Sequence, residues 1–139
     1  MLEKYKNLGL TLTPQRLAIL DYLEGNREHP SAEKIHRDLA ERFPTLSLAT
    51  VYNTLDTLKQ KGMLQDLDID NTKKRFDPNP RPHHHALCLS CRKVTDLELA
   101  FKLPETLVTD DDFEIVESKV AFFGYCGACR RRMGNHLFM

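Results

Sequence analysis

Four cysteines fall in two identical spacings, Cys88-Leu89-Ser90-Cys91 and Cys126-Gly127-Ala128-Cys129. Each pair can present two thiolates from one tight knuckle, and together they can close the tetrahedral site that zinc accepts in structural positions. The interval between the pairs is longer than in a compact zinc ribbon, so a strand or two must intervene. Two disulfides, a redox-active pair or an iron–sulfur cluster are the alternatives left open by this spacing. A site saturated by four sulfurs has no open coordination position, so the expected role of Zn2+ here is to staple the chain, not to catalyse.

A second constellation surrounds a proline-rich stretch: Asp77, His83-His84-His85 and Asp96. If the histidines are extended, His83 and His85 point to one side and His84 to the other. Imidazoles with carboxylates suit borderline divalent cations such as iron, manganese, nickel or zinc. The blander reading of a triple histidine is a solvated loop or a purification scar, and its internal position beside a cysteine knuckle argues against the scar. By pattern alone His29, before Pro30, reads as a turn residue, and neither His36 nor His136 reads as a ligand. A metal with an open position and a bound water would describe a small metalloenzyme, but no general base accompanied by a substrate-pocket motif is evident.

Elements must position these groups. Thr13-Pro14 is a helix start, a hydroxyl cap followed by proline at the first helical position. Leu17, Ile19, Leu20 and Leu23 follow on an apolar face that Gly25-Asn26 stops. Ser31 caps a second helix with Glu33 in its first turn and Ala32, Ile35, Leu39 and Phe43 towards the core, ended by Pro44. Ser47 caps a third, burying Leu48, Val51, Leu55 and Leu58, with Gly62 just past its end. Leu64 to Ile69 and Lys73 to Phe76 flank Asp70-Asn71, which resembles a hairpin turn. Three helices and a hairpin are the layout of a winged helix-turn-helix, in which the second helix of the motif enters the major groove. That helix, Ser47 to Gln60, offers Thr50, Asn53 and Thr57 on its outer face with Tyr52 on the flank. An ordinary solvated face is the competing reading. A short helix is also expected over Glu3 to Leu8.

Alternating prolines in Asp77-Pro78-Asn79-Pro80-Arg81-Pro82 favour a stiff, extended connector. The expected organisation is therefore a DNA-binding domain over residues 1–77, a hinge over 78–82 and a second domain over 83–139. In the latter, Ala86 to Cys88 and Val94 to Leu97 read as strands, Leu103 to Val108 as a helix, and Phe113 to Phe123 as a long strand with Val116, Val120 and Phe122 on one side. The fold class is α+β.

The chain has 139 residues, 41% of them apolar, so two cores of this size would each be thin and would gain from a metal staple. Charge is balanced at 20 basic and 20 acidic residues, and neither part is basic: residues up to Phe76 carry twelve Lys/Arg against eleven Asp/Glu, the remainder eight against nine. DNA binding must then come from local placement of donors rather than bulk attraction. The run Arg130-Arg131-Arg132 reads as a solvated face or partner contact. Without a long apolar segment or apolar signal core, the expectation is a cytoplasmic protein with no membrane partner, its thiols kept reduced.

The order and spacing of several stretches resemble the ferric uptake regulator (Fur) family over nearly the whole chain: Leu12-Thr13-Pro14-Gln15-Arg16, His29-Pro30-Ser31-Ala32-Glu33, Ala49-Thr50-Val51-Tyr52-Asn53-Thr54-Leu55, Arg75-Phe76-Asp77, His83-His84-His85-Ala86-Leu87-Cys88, and the closing Cys126 and Cys129. The resemblance implies a homodimeric repressor that binds AT-rich palindromic operators in double-stranded DNA when a regulatory metal, Fe2+ or Mn2+, holds its domains closed. It implies that the C-terminal domain dimerises, that Arg16, Thr50, Tyr52 and Asn53 contact DNA, and that the regulatory ligands are His29, Asp77, His83, His85 and Asp96. His29 thereby changes from turn residue to ligand. Iron-sensing members typically have Glu where Asp96 stands, and their additional metal site maps to Pro82, His84, Leu103 and Ser118, three of which cannot ligate in the usual way. Both departures resemble the peroxide-sensing branch, which implies iron-catalysed oxidation of His29 and His83. Two further departures bear on DNA: Thr11 replaces a basic residue common in the family, and Asp56 places a negative charge on the recognition helix.

Overall fold

Among the described residues, hydroxyl side chains begin each of the first three helices. Thr13 Oγ1 accepts the Arg16 N–H at 3.2 Å ahead of α1 (Pro14–Leu23), Ser31 Oγ the Lys34 N–H at 3.1 Å ahead of α2 (Ala32–Leu39), and Ser47 Oγ the Thr50 N–H at 3.1 Å ahead of α3 (Leu48–Gln60). Each cap satisfies a donor with no partner inside its helix, a contribution of about 1 kcal/mol. In the computed structural model, residues 9–98, 111–116 and 119–134 are described. The helices expected over Glu3 to Leu8 and over Leu103 to Val108 lie outside them.

The chain divides into two units, Met1–Arg81 and Pro82–Met139. In unit 1 the three helices bury Ile19, Leu20 and Leu23, Ala32, Ile35 and Leu39, and Val51, Leu55 and Leu58 against one another, joined by Leu46, Leu64 and Phe76. Each large aliphatic side chain so buried favours folding by roughly 1.5–3 kcal/mol. The apolar faces differ in detail from the sequence pattern. Leu17, Phe43 and Leu48 are only half-buried, whereas Thr54 is wholly buried because its Oγ1 donates to the Thr50 carbonyl at 2.8 Å. Phe43 lies beyond the end of α2.

The hairpin consists of β1 (Gln65–Leu67) and β2 (Arg75–Asp77), antiparallel with Gln65 opposite Asp77 and Leu67 opposite Arg75. Asp70-Asn71 is therefore not a tight two-residue turn. Pairing ends at Leu67 and Arg75, and residues 68–74 form a longer connection in which Asp70 turns inward and is 4% exposed. The proline-rich stretch is partly secured to this hairpin, since Gln65 Nε2 donates to the carbonyls of Asn79 and Arg81 at 2.9 and 3.1 Å.

Unit 2 is built on β3 (His84–Cys88), β4 (Val94–Leu97) and β5 (Ala121–Gly124), in the order β4-β3-β5, followed by α4 (Gly127–Met133). β4 is antiparallel and β5 parallel to β3. The long strand expected from Phe113 is not formed: residues 113–116 are not strand, Val116 is 87% exposed, and pairing begins at Ala121. Period-two alternation marks a strand only where a neighbouring strand takes up its backbone groups. Each unit mixes helix and strand, giving an α+β protein. Among the described residues no helix is long and apolar enough to cross a membrane.

Candidate metal centres

The parallel pairing of β5 with β3 brings the two cysteine knuckles together. Cys88 ends β3 opposite Gly124, Cys91 follows in the turn, Cys126 caps α4, and Cys129 lies in its first turn. One sulfur from each falls within 4.8 Å of the others, and all four thiols are free. Burial disfavours the Cys88 thiolate, but N–H donors from Cys126, Cys91 and Ser90 outweigh it and bring the thiol down to about 6. The Ser90 side chain, with Arg132 assisting against burial, also lowers Cys129, and Arg132 Nη2 donates to its sulfur at 2.9 Å. Four free sulfurs gathered in one cluster, with thiolate-stabilising donors at Cys88 and Cys129, suit a divalent, thiophilic cation and contain no disulfide. Arg132 was hidden in sequence within a three-arginine run, and it is a donor to the site rather than merely part of a solvated face.

The nitrogen and oxygen donors form a set in each unit. In unit 1, His29 Nε2 is 3.4 Å from Asp77 Oδ2, and both residues are almost wholly buried. β2 supplies Asp77, while His29 sits in the loop before α2 with a positive φ of 54°. Asp77 Oδ1 accepts the Asn79 N–H at 2.9 Å, which orients the carboxylate. In unit 2, the Nε2 atoms of His83 and His85 lie 3.0 and 3.3 Å from the same oxygen, Asp96 Oδ1. The two rings are 4.3 Å apart between centroids, and His84 stands instead edge-on to Phe122. The register of His85 opposite Asp96 across β3 and β4 produces this arrangement. Two imidazole nitrogens aimed at one carboxylate oxygen fit a cation of borderline hardness. His36 is engaged elsewhere, its Nε2 2.8 Å from the Leu46 carbonyl, and His136 lies outside the described residues.

Residues 7–123 match the ferric uptake regulator family. The chain belongs to that family. The peroxide operon regulator of Bacillus subtilis is 33% identical over 137 residues, a match spanning 97% of this chain and 94% of the relative. The Campylobacter jejuni peroxide stress regulator superposes with a TM-score of 0.61 at 26% identity, over 93% of this chain and 98% of that one. The iron-containing ferric uptake regulator of Francisella tularensis has a TM-score of 0.69 at 23% identity, over 89% and 97%, a likeness of fold. Fur-family members are metal-binding transcriptional regulators that act on DNA as dimers and are not enzymes. The metalloenzyme alternative is thereby set aside.

In this Fur-family chain the outer face of α3 has a particular chemistry. Tyr52 and Asn53 are exposed, and Thr50 is half-buried with its Oγ1 2.9 Å from Ser47 Oγ. The Tyr52 hydroxyl donates to Glu33 Oε1 at 2.6 Å, a bond that raises the phenol and lowers the carboxyl. Glu33 was visible in sequence as a first-turn acid of α2 and as the end of the His29–Glu33 stretch, not as a partner of Tyr52. Arg16 Nη1 donates to the Thr11 carbonyl at 2.8 Å, tying α1 to the segment before it.

Proposed function

We propose that this chain is a cytoplasmic, peroxide-responsive repressor: a homodimer with Zn2+ on Cys88, Cys91, Cys126 and Cys129, and Fe2+ or Mn2+ on His29, Asp77, His83, His85 and Asp96. In that state it binds an AT-rich palindromic operator. The observation that carries the reading is the division of the N/O donors, with His29 and Asp77 in unit 1 and His83, His85 and Asp96 in unit 2. A cation shared by both sets restricts the arrangements open to the DNA-binding unit, and its loss lowers the DNA-competent population. Unit 2, residues 83–139 in this reading, is the dimerisation domain, and residues 78–82 form the hinge.

On DNA, α3 enters the major groove, where Thr50, Tyr52 and Asn53 meet base edges while Arg16 serves the backbone. Asp96 in place of Glu and the names of the two peroxide regulators above support the peroxide branch. His29, Asp77, His83, His85 and Asp96 would hold ferrous iron, which would supply one-electron chemistry towards hydrogen peroxide. His29 and His83 are the oxidisable rings, and the thiolates are protected inside the zinc site.

Operator binding with Fe2+ or Mn2+, before and after peroxide, followed by peptide mass spectrometry, tests the reading. The iron form should lose its operator and gain oxygen on His29 or His83, and the manganese form should keep its operator. Asp96→Glu should retain metal-dependent binding and blunt the peroxide response. An iron form that keeps its operator with unmodified histidines makes the chain a metal-uptake sensor instead.

A further inference from the structure

His29 has a left-handed backbone, with φ at 54°, and immediately precedes Pro30. Both circumstances oppose it. A side chain on Cβ crowds the backbone in that region, and a following proline ring favours extended backbone instead. Such a residue persists only when its surroundings hold it.

Consecutive residues of β2 supply that hold. Arg75 Nη1 donates to the His29 carbonyl at 3.1 Å, and the Phe76 N–H donates to the Pro30 carbonyl at 2.9 Å. Arg75 is itself fixed from its other edge, where Nε and Nη2 donate to Asp70 Oδ2 at 3.1 and 3.0 Å. The remaining Asp70 oxygen accepts the Thr72 N–H at 3.0 Å and the Thr72 hydroxyl at 2.7 Å. Arg75 and Asp70 are both buried, so neither charge is cheaply left without the other. A continuous run of bonds therefore joins the hairpin connection, residues 68–74, to the main chain of His29. The run uses a guanidinium fork reaching two acceptors at once, which a lysine ammonium at the same position cannot span.

We propose that Arg75 is a positioning residue for His29, and that metal capture by His29 and ordering of residues 68–74 are coupled through it. The metal part rests on His29 being a ligand, as proposed above; the backbone part does not. The bound cation then biases the hairpin of the DNA-binding unit from within that unit.

The backbone part is tested in the zinc-loaded full chain without regulatory metal, by thermal unfolding of Arg75→Met, His29→Gly and the double variant. Glycine adopts positive φ without the Cβ penalty, so the strain that Arg75→Met releases in wild type is absent from the His29→Gly background, and Arg75→Met should lower the Tm more there than in wild type. Equal losses in both backgrounds overturn the positioning role. The metal part is tested with Mn2+ by binding and by hydrogen exchange of residues 68–76, in wild type and in Arg75→Lys, which keeps the charge beside Asp70. Mn2+ should slow exchange there in wild type only, and the lysine variant should bind Mn2+ about 10-fold more weakly. The same Mn2+ protection in both proteins overturns the coupling. A wild type that binds no Mn2+ through His29 overturns both the coupling and the proposed regulatory site, and leaves the Tm comparison to decide the role of Arg75 alone.

Discussion

The thiolate cluster takes all its donors from one unit: the end of β3, the turn after it, and the start of α4. The imidazole–carboxylate donors are divided, His29 and Asp77 in unit 1 and His83, His85 and Asp96 in unit 2. A cation held wholly within one unit adds to the folding stability of that unit, because its ligands are scattered once the unit unfolds. A cation whose ligands are divided between folded units can leave without unfolding either. Sulfur against nitrogen and oxygen sharpens the contrast, since soft thiolates retain zinc while mixed harder donors accept exchangeable divalent ions. In the proposed reading, a permanent staple and a reversible sensor differ in where their ligands lie along the chain as much as in what those ligands are.

The severest way to break this comparison is Cys88→Ser. It should release zinc and unfold or dissociate unit 2, with a loss on the order of 10 kcal/mol of apparent binding energy. Zinc content and far-ultraviolet circular dichroism check it, and a zinc-free protein with unit 2 still folded would remove the staple from the account. A smaller effect is expected from Asp96→Asn, which takes the charged oxygen from between His83 and His85. Mn2+ affinity should fall by roughly 10- to 100-fold or more, taking the loss of a supporting group as the lower bound. The zinc content and melting temperature of unit 2 should stay near wild type; parallel loss of zinc would show that the two centres are not separable. Smallest is Tyr52→Ala, which touches neither centre. It should weaken operator binding by about 1–3 kcal/mol, the value of one good base contact. Anisotropy titration at fixed salt checks it, with both metal contents as controls, and an unchanged operator affinity would remove Tyr52 from the DNA face.

What could be read in advance follows the range of the interaction. The starts of α1, α2 and α3 were legible because a cap joins residues three apart, and most of their buried faces were legible because burial repeats with the helix. Thr54 escaped because its hydroxyl reads as polar until it bonds back one turn. The Asp70-Asn71 turn was misread for a related reason: those residues favour turns, and nothing local reveals that Asp70 has a buried arginine to meet. α4 went unseen because seven residues carrying three arginines and no capping side chain give no helical signature.

The sequence by itself determined the spacing of the candidate ligands and much of their local geometry. Cysteines three apart must share a knuckle, and His83 and His85 must project alike if the strand is extended. Only the tertiary structure decided which groups meet. The two knuckles, 35 residues apart between Cys91 and Cys126, close through parallel pairing of β5 with β3, a register set by the rest of the sheet. The His29 carbonyl meets Arg75 across 46 residues of sequence. Periodicity and caps report a few residues of chain, whereas these encounters depend on which surfaces bury one another, and the unfavourable backbone of His29 is sustained only after that burial has occurred.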